Sequence, residues 1–156
     1  MLNIVLVAPE IPGNTGSIGR TCLALGASLC LIKPYGFDLS EKAVRRAGLD
    51  YWKYLKVKEF ENFADFLEKE NPSNNSLFFF SKKAEKNYFS THYPENCYLI
   101  FGSETKGLPE DFFVKYSENF LSIPMFSDKV RSLNLSNAVT AVAYEVLRQK
   151  LTLLQS

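Results

Sequence analysis

Seven polar residues in this chain could do chemistry together: Asn14, Arg20, Glu104, Lys106, Lys129, Arg131 and Asn134. They lie in three stretches rich in Gly, Asn, Ser or charge, residues 9–20, 102–109 and 124–134. Few of these groups titrate near neutrality. Such a set suits a ligand gripped by main-chain hydrogen bonds in an apolar pocket, with a guanidinium near the reacting centre. Each residue also has a plain structural use. Asn14 suits a helix cap or a turn, Arg20 a solvated helix position, and Glu104 the N-terminal end of a following helix. Their grouping in three loops is what argues for a site.

Other chemistries lack their residues. Gly13, Gly16 and Gly19 read G-x-x-G-x-x-G, not the G-x-G-x-x-G of a dinucleotide fold, and only Asp38 stands loosely where a ribose-binding acid belongs. Gly102 and Gly107 have the spacing of a phosphate loop, but Leu108-Pro109 occupies the place of its Lys-Ser/Thr. The single histidine, His92, sits in a polar connection and reads as a surface residue, so no multi-histidine metal centre is expected. Cys22, Cys30 and Cys97 have no paired spacing and read as buried, reduced thiols. No G-x-S-x-G elbow supplies a hydrolase nucleophile. The net charge of +1 gives no global basic field, so any nucleic-acid site must come from local clusters.

The elements that position these loops alternate. Short apolar runs at 2–8, 28–33, 77–80, 97–101 and 120–123 read as buried strands. Residues 51–58 suggest another strand. Helices are expected from Thr15 or Ser17 to Leu25, after Ser40 (carrying Lys42, Arg45 and Arg46), over 62–69, after Pro109, and from Leu135 to Lys150. In the last of these, Leu135, Val139, Val142 and Val146 recur at the helical period. Strands alternating with helices predict an α/β domain with a mostly parallel sheet covered on both faces. Ligands of such sheets bind beyond the strand C-termini, where the three loops emerge. At 156 residues the chain is expected to be one domain, 1–156, with no run long enough to span a membrane.

Three segments then carry a resemblance: Pro9-Glu-Ile-Pro-Gly-Asn-Thr-Gly-Ser-Ile-Gly-Arg20, Leu99-Ile-Phe-Gly-Ser-Glu-Thr-Lys-Gly-Leu-Pro109, and Ile123-Pro-Met through Arg131-Ser-Leu-Asn-Leu-Ser-Asn-Ala-Val139. In order and spacing they closely resemble the three signature motifs of the SPOUT superfamily of RNA methyltransferases. With Arg45-Arg-Ala-Gly-Leu-Asp-Tyr51 and the short length, the chain is most similar to the family of tRNA (cytidine/uridine-34)-2′-O-methyltransferases. The stretch from Ser127 to Arg131 departs from typical relatives in being slightly longer.

The resemblance implies a C-terminal deep trefoil knot, which no periodicity could show. It implies a cytoplasmic homodimer that transfers a methyl group from S-adenosylmethionine, without a metal, to the wobble ribose in a tRNA anticodon stem-loop, with tRNA-Leu the expected substrate. S-adenosylhomocysteine is the product. Carried over by position, Phe80, Gly102, Ile123, Ser132 and Leu133 would hold the cofactor, while Asn14, Arg20, Glu104 and Asn134 match catalytic positions. Arg45, Arg46, Lys106, Lys129 and Arg131 are the candidate RNA contacts. The family casts the arginine matching Arg20 as a general base. A guanidinium does not lose its proton in proteins, so Arg20 reads better as the partner of the phosphate beside the target ribose. Another tRNA or ribosomal RNA position, or a non-enzymatic RNA-binding role on the same fold, remain the alternatives.

Overall fold

A computed structural model of the chain describes residues 1–39 and 49–156 and turns the apolar runs into six strands. They are β1 (Leu2–Val7), β2 (Ser28–Ile32), β3 (Val57–Phe60), β4 (Leu77–Phe80), β5 (Cys97–Phe101) and β6 (Phe120–Leu121). All pairings are parallel and the order is β3-β2-β1-β5-β4-β6. The α-helices among the described residues are α1 (Pro12–Leu25), α2 (Phe63–Glu70), α3 (Glu110–Lys115) and α4 (Leu135–Gln155). The expected helix carrying Lys42, Arg45 and Arg46 lies outside the described residues.

Side-chain alternation along each strand builds two cores. Leu2, Ile4 and Leu6 of β1 pack with Ile18 and Cys22 of α1 and Val139, Val142 and Val146 of α4. Val5 and Val7, pointing the other way, pack with Phe66 of α2 and Phe112 of α3. Every residue of β1, β2, β4 and β5 is buried, which explains why these strands read as continuous apolar runs. The helices are placed by local signals. Asn62 caps α2 by accepting from the Asp65 N–H at 2.8 Å, and Asn134 caps α4.

Two expectations need correction. Helix α1 starts at Pro12 rather than at Thr15 or Ser17, so Asn14 lies on the helix together with Arg20 and not in a loop before it. Proline suits the first helical position, and the Ile11 carbonyl accepts from Asn14 N at 3.1 Å and Thr15 N at 3.3 Å. Gly19 serves close approach: a methyl there would lie 2.9 Å from both Leu55 and Trp52. Those residues belong to the second correction. The expected strand over 51–58 is a 3-10 turn, Leu49–Tyr54, followed by β3 from Val57. Packing of Trp52 and Leu55 against the core under α1 overrides their strand propensity.

The exit from β6 has an unusual setting. The Leu121 carbonyl accepts from Ser81 N at 3.0 Å, on the β4 side. Successive strand residues direct their backbone groups to opposite edges. Ser122 accordingly donates to the Lys86 carbonyl at 2.8 Å and accepts from Tyr88 N at 3.0 Å. The chain thus leaves β6 between two limbs of the segment that joins β4 to β5. Helix α4 is tied to the same segment, with Gln149 bonding Tyr93 N at 3.1 Å and the Thr91 carbonyl at 2.9 Å.

Candidate active site

Beyond the C-terminal ends of β4 and β5 lies a cleft of about 570 Å³. Phe80 and Phe101 end those two strands side by side. Their rings stack at 4.7 Å with an 11° tilt and form the apolar floor. Ile123, Met125 and Leu133, from the segment between β6 and α4, give a second wall. The third wall is the turn from Gly102 to Leu108. This turn folds tightly on itself: Ser103 N bonds the Gly107 carbonyl at 3.3 Å, Gly107 N bonds the Ser103 carbonyl at 3.0 Å, and the Ser103 hydroxyl accepts from Lys106 N at 3.2 Å. A Cβ on Gly102 would collide with the backbone of Gly107 and Leu108, so only glycine fits there.

The polar groups link the loops to the helices. Glu104 takes the main chain before α1, accepting from Glu10 N at 2.7 Å and Ile11 N at 3.3 Å, rather than serving the start of the following helix, α3. Glu10 answers by accepting from the Thr105 hydroxyl at 2.7 Å and from Thr105 N at 3.3 Å. The Thr105 hydroxyl, aided by Ser103, holds the Glu10 carboxyl below its ordinary range. At the helix starts, Asn134 Nδ2 donates to Asn14 Oδ1 at 3.1 Å. Asn134 Oδ1 accepts from Ser136 N at 2.9 Å and Asn137 N at 3.3 Å. Asn14 is buried at the cleft edge. No described side chain or carbonyl takes its Nδ2 hydrogens, which leaves them for a ligand.

Of the residues singled out from the sequence, the cleft brings together Asn14, Phe80, Gly102, Glu104, Lys106, Ile123, Arg131, Ser132, Leu133 and Asn134. Arg20 and Lys129 do not line it. Arg20 is exposed on α1, its guanidinium 5.1 Å above the ring of Tyr51, within cation–π range. Lys129 is exposed in the loop before α4, where its N–H bonds the Ser127 hydroxyl at 3.1 Å. Arg45 and Arg46 lie outside the described residues.

Sequence reasoning missed Lys82 and Lys83, which also line the cleft; Lys82 Nζ reaches the Arg131 carbonyl at 3.4 Å. The signal was present. They follow the strand that ends at Phe80, so a fourth loop emerges beside the other three. The cysteines stay out of the chemistry: all three are free and buried. Burial pushes the Cys22 and Cys30 thiols up to about 12 and Cys97 to about 11, so none is a ready nucleophile. Among the described residues no group of three or more His, Cys, Asp or Glu side chains could hold a metal ion.

Residues 1–144 match the pattern of the SpoU rRNA Methylase family. The chain belongs to this family. The tRNA (cytidine(34)-2′-O)-methyltransferase of Escherichia coli K12 is 45% identical over 150 residues, 96% of this chain and 94% of its own. A solved structure concerned with the 2-OH methylation of C/U34 on tRNA superposes with a TM-score of 0.91 at 43% identity, covering 97% of both chains. AviRb from Streptomyces viridochromogenes, a SpoU methyltransferase solved in complex with AdoMet, gives 0.84 at 27% identity, over 97% of this chain and 58% of that one. The SPOUT resemblance drawn from the three motifs is borne out.

Proposed function

We propose that this chain is a tRNA (cytidine(34)-2′-O)-methyltransferase that uses S-adenosylmethionine to methylate the wobble ribose, cytidine or modified uridine. The observation that carries this reading is the cleft at the ends of β4 and β5, in a chain 45% identical over nearly its whole length to an enzyme of that name. The cleft suits the cofactor. Its volume is in the range of small-molecule sites, its floor is a stacked pair of rings against which adenine can lie, and its walls combine apolar side chains with the tight turn from Gly102 to Leu108. Phe80, Gly102, Ile123, Ser132 and Leu133 are the residues that would hold it.

When bound, the cofactor supplies an electrophilic methyl group on a sulfonium, so the protein's task is alignment and removal of one proton. Asn14 and Asn134, joined at the cleft edge, orient the ribose end of the site. Arg20 binds the phosphate next to the target ribose, and that phosphate or a water accepts the hydroxyl proton. Because Arg20 is exposed and does not line its own cleft, it serves the cleft of a second copy in a homodimer. The exposed apolar residues Tyr144, Leu151 and Leu154 of α4 support such a dimer. Lys106 and Arg131, joined by Lys82 and Lys83, give the cleft rim the cations that an anticodon stem-loop requires. Lys129 extends this surface, and Arg45 and Arg46 join the RNA contacts on the strength of the sequence resemblance.

The passage of residues 120–122 between β4 and residues 86–88 supports a trefoil knot in a single 1–156 domain, with the cofactor held in the knotted segment. Among the described residues no helix is long and apolar enough to cross a membrane, in keeping with work on tRNA in the cytoplasm.

The test is to incubate the protein with labelled S-adenosylmethionine and unmodified total tRNA and to map the labelled nucleoside. A 2′-O-methylated first anticodon position, tRNA-Leu included, is expected. Label at another tRNA position or only in ribosomal RNA overturns the substrate assignment. In the same assay Arg20→Lys is expected to lower turnover about a hundredfold, because an ammonium cannot reproduce a bidentate phosphate contact. Full turnover in that variant removes the specific guanidinium role.

A further inference from the structure

We infer that Glu10 and Thr105 form a latch that fixes the main-chain wall of the cleft, and that Glu10 is a positioning residue for cofactor binding. The inference rests on the cofactor reading above. The turn from Gly102 to Leu108 forms one wall, and its backbone groups act on a ligand only if they stay in place. Its own bonds fix its internal shape, through Ser103 and Gly107, but not its position relative to α1.

Position comes from a reciprocal exchange across the turn. Glu104 grips the N–H groups of residues 10 and 11, at 2.7 and 3.3 Å, while Glu10 grips the hydroxyl and N–H of Thr105, at 2.7 and 3.3 Å. Two carboxylates cross between the same two segments in opposite directions. Sliding one segment along the other breaks both grips at once. Either grip alone would leave a pivot.

The far side of the latch is anchored. Gly36 N bonds the Pro9 carbonyl at 3.0 Å, and a Cβ at Gly36 would lie 3.0 Å from the Glu10 backbone, so residues 9 and 10 are wedged against that turn. Ala8, just before, holds a φ of 52°, a left-handed conformation that a residue with a Cβ keeps only when its surroundings impose it. The fixed segment then runs through the Ile11 carbonyl into the first turn of α1 and reaches Asn14. The latch therefore sets both the turn and the Asn14–Asn134 pair in one frame. Thr105 lines the cleft and Glu10 does not, so Glu10 acts through the turn and touches no ligand.

Calorimetric titration of the full chain with S-adenosylmethionine tests this, beside methyl-transfer kinetics on tRNA. Glu10→Ala and Thr105→Val are each expected to weaken the cofactor dissociation constant on the order of tenfold. The double variant is expected to be no weaker than Glu10→Ala alone, since Glu10→Ala already removes every bond between the two residues. Thr105→Ser, which keeps the hydroxyl, is expected to recover most of the affinity lost in Thr105→Val. The KM for tRNA is expected to stay near the wild-type value. Additive losses overturn the latch, and so does a lowered Tm with unchanged cofactor affinity, which marks a merely structural contact. If the wild-type protein binds S-adenosylmethionine and both variants bind it equally, the latch alone fails. If the wild type does not bind it, the cofactor reading fails and the latch with it.

Discussion

The sheet face under α2 and α3 is closed by a connected set of rings, whereas the face under α1 and α4 combines aliphatic side chains and polar links with the separate ring pairs Phe80–Phe101 and Phe78–Tyr93. On the first, Phe79 stacks on Phe120 at 5.1 Å and on Tyr116 at 4.8 Å, and Phe63 meets Phe112 at 4.5 Å. On the second, Ile18, Val139, Val142 and Ala143 fill the space. Thr21 and Thr140 join the two helices by a hydroxyl bond of 2.9 Å, and Asn14 and Asn134 join their starts. Aromatic pairs add roughly 1 kcal/mol beyond their burial but say little about placement. Directed bonds contribute about as much each and fix angles. The ring-filled face thus serves mainly stability. The other face spends its polar groups on position, and the cleft opens on its side.

This difference predicts that damage on the two faces can be separated. The largest effect is expected at Gly102. Gly102→Ala forces the backbone of Gly107 and Leu108 away from residue 102 and opens the turn, and a displacement of about 1 Å in a site can cost on the order of a hundredfold. Cofactor affinity should fall by that factor while the urea midpoint moves little, as measured by calorimetry and denaturation on one preparation. Phe79→Ala is expected to do the opposite. Removing a fully buried ring costs about 3–5 kcal/mol of unfolding free energy, yet the protein that remains folded should bind the cofactor as well as wild type. If Phe79→Ala weakens binding as much as Gly102→Ala does, the two faces are not independent.

Legibility in the sequence followed the same division. Strands β1, β2, β4 and β5 are visible because burial on both sides leaves no polar interruption, and α4 because its valines keep the helical period. The site wall was legible in its glycines and in the family motifs. What escaped depended on distant contacts. The glycine-rich start looks like a loop, yet it is helical from Pro12, and Gly19 is there because Trp52 and Leu55 fill the space beside it. Tyr51 and Trp52 have strand propensity, yet they make a 3-10 turn against that helix. Glu104 looks like a catalytic acid or a local helix charge. Its partners are residues 10 and 11, more than ninety positions away, and no local pattern reveals such a pairing. Lys82 and Lys83 were overlooked because a charged pair after a strand is usually just solvated.

The smallest effect is expected where the two roles meet in one side chain. Asn134 caps α4 with its oxygen and holds Asn14 with its nitrogen. Asn134→Ala removes both and should cost about 1 kcal/mol of stability from the lost cap, together with a drop in methyl transfer. Asn134→Ser separates them. A serine hydroxyl still accepts from the first helical N–H groups, so the unfolding free energy should return to near wild type. It does not restore the amide donor at the same reach, so Asn14 stays unheld and transfer should remain low. If Asn134→Ser restores activity along with stability, the Asn14–Asn134 bond is only a seam between two helices, and the site face is held in the same way as the ring-filled one.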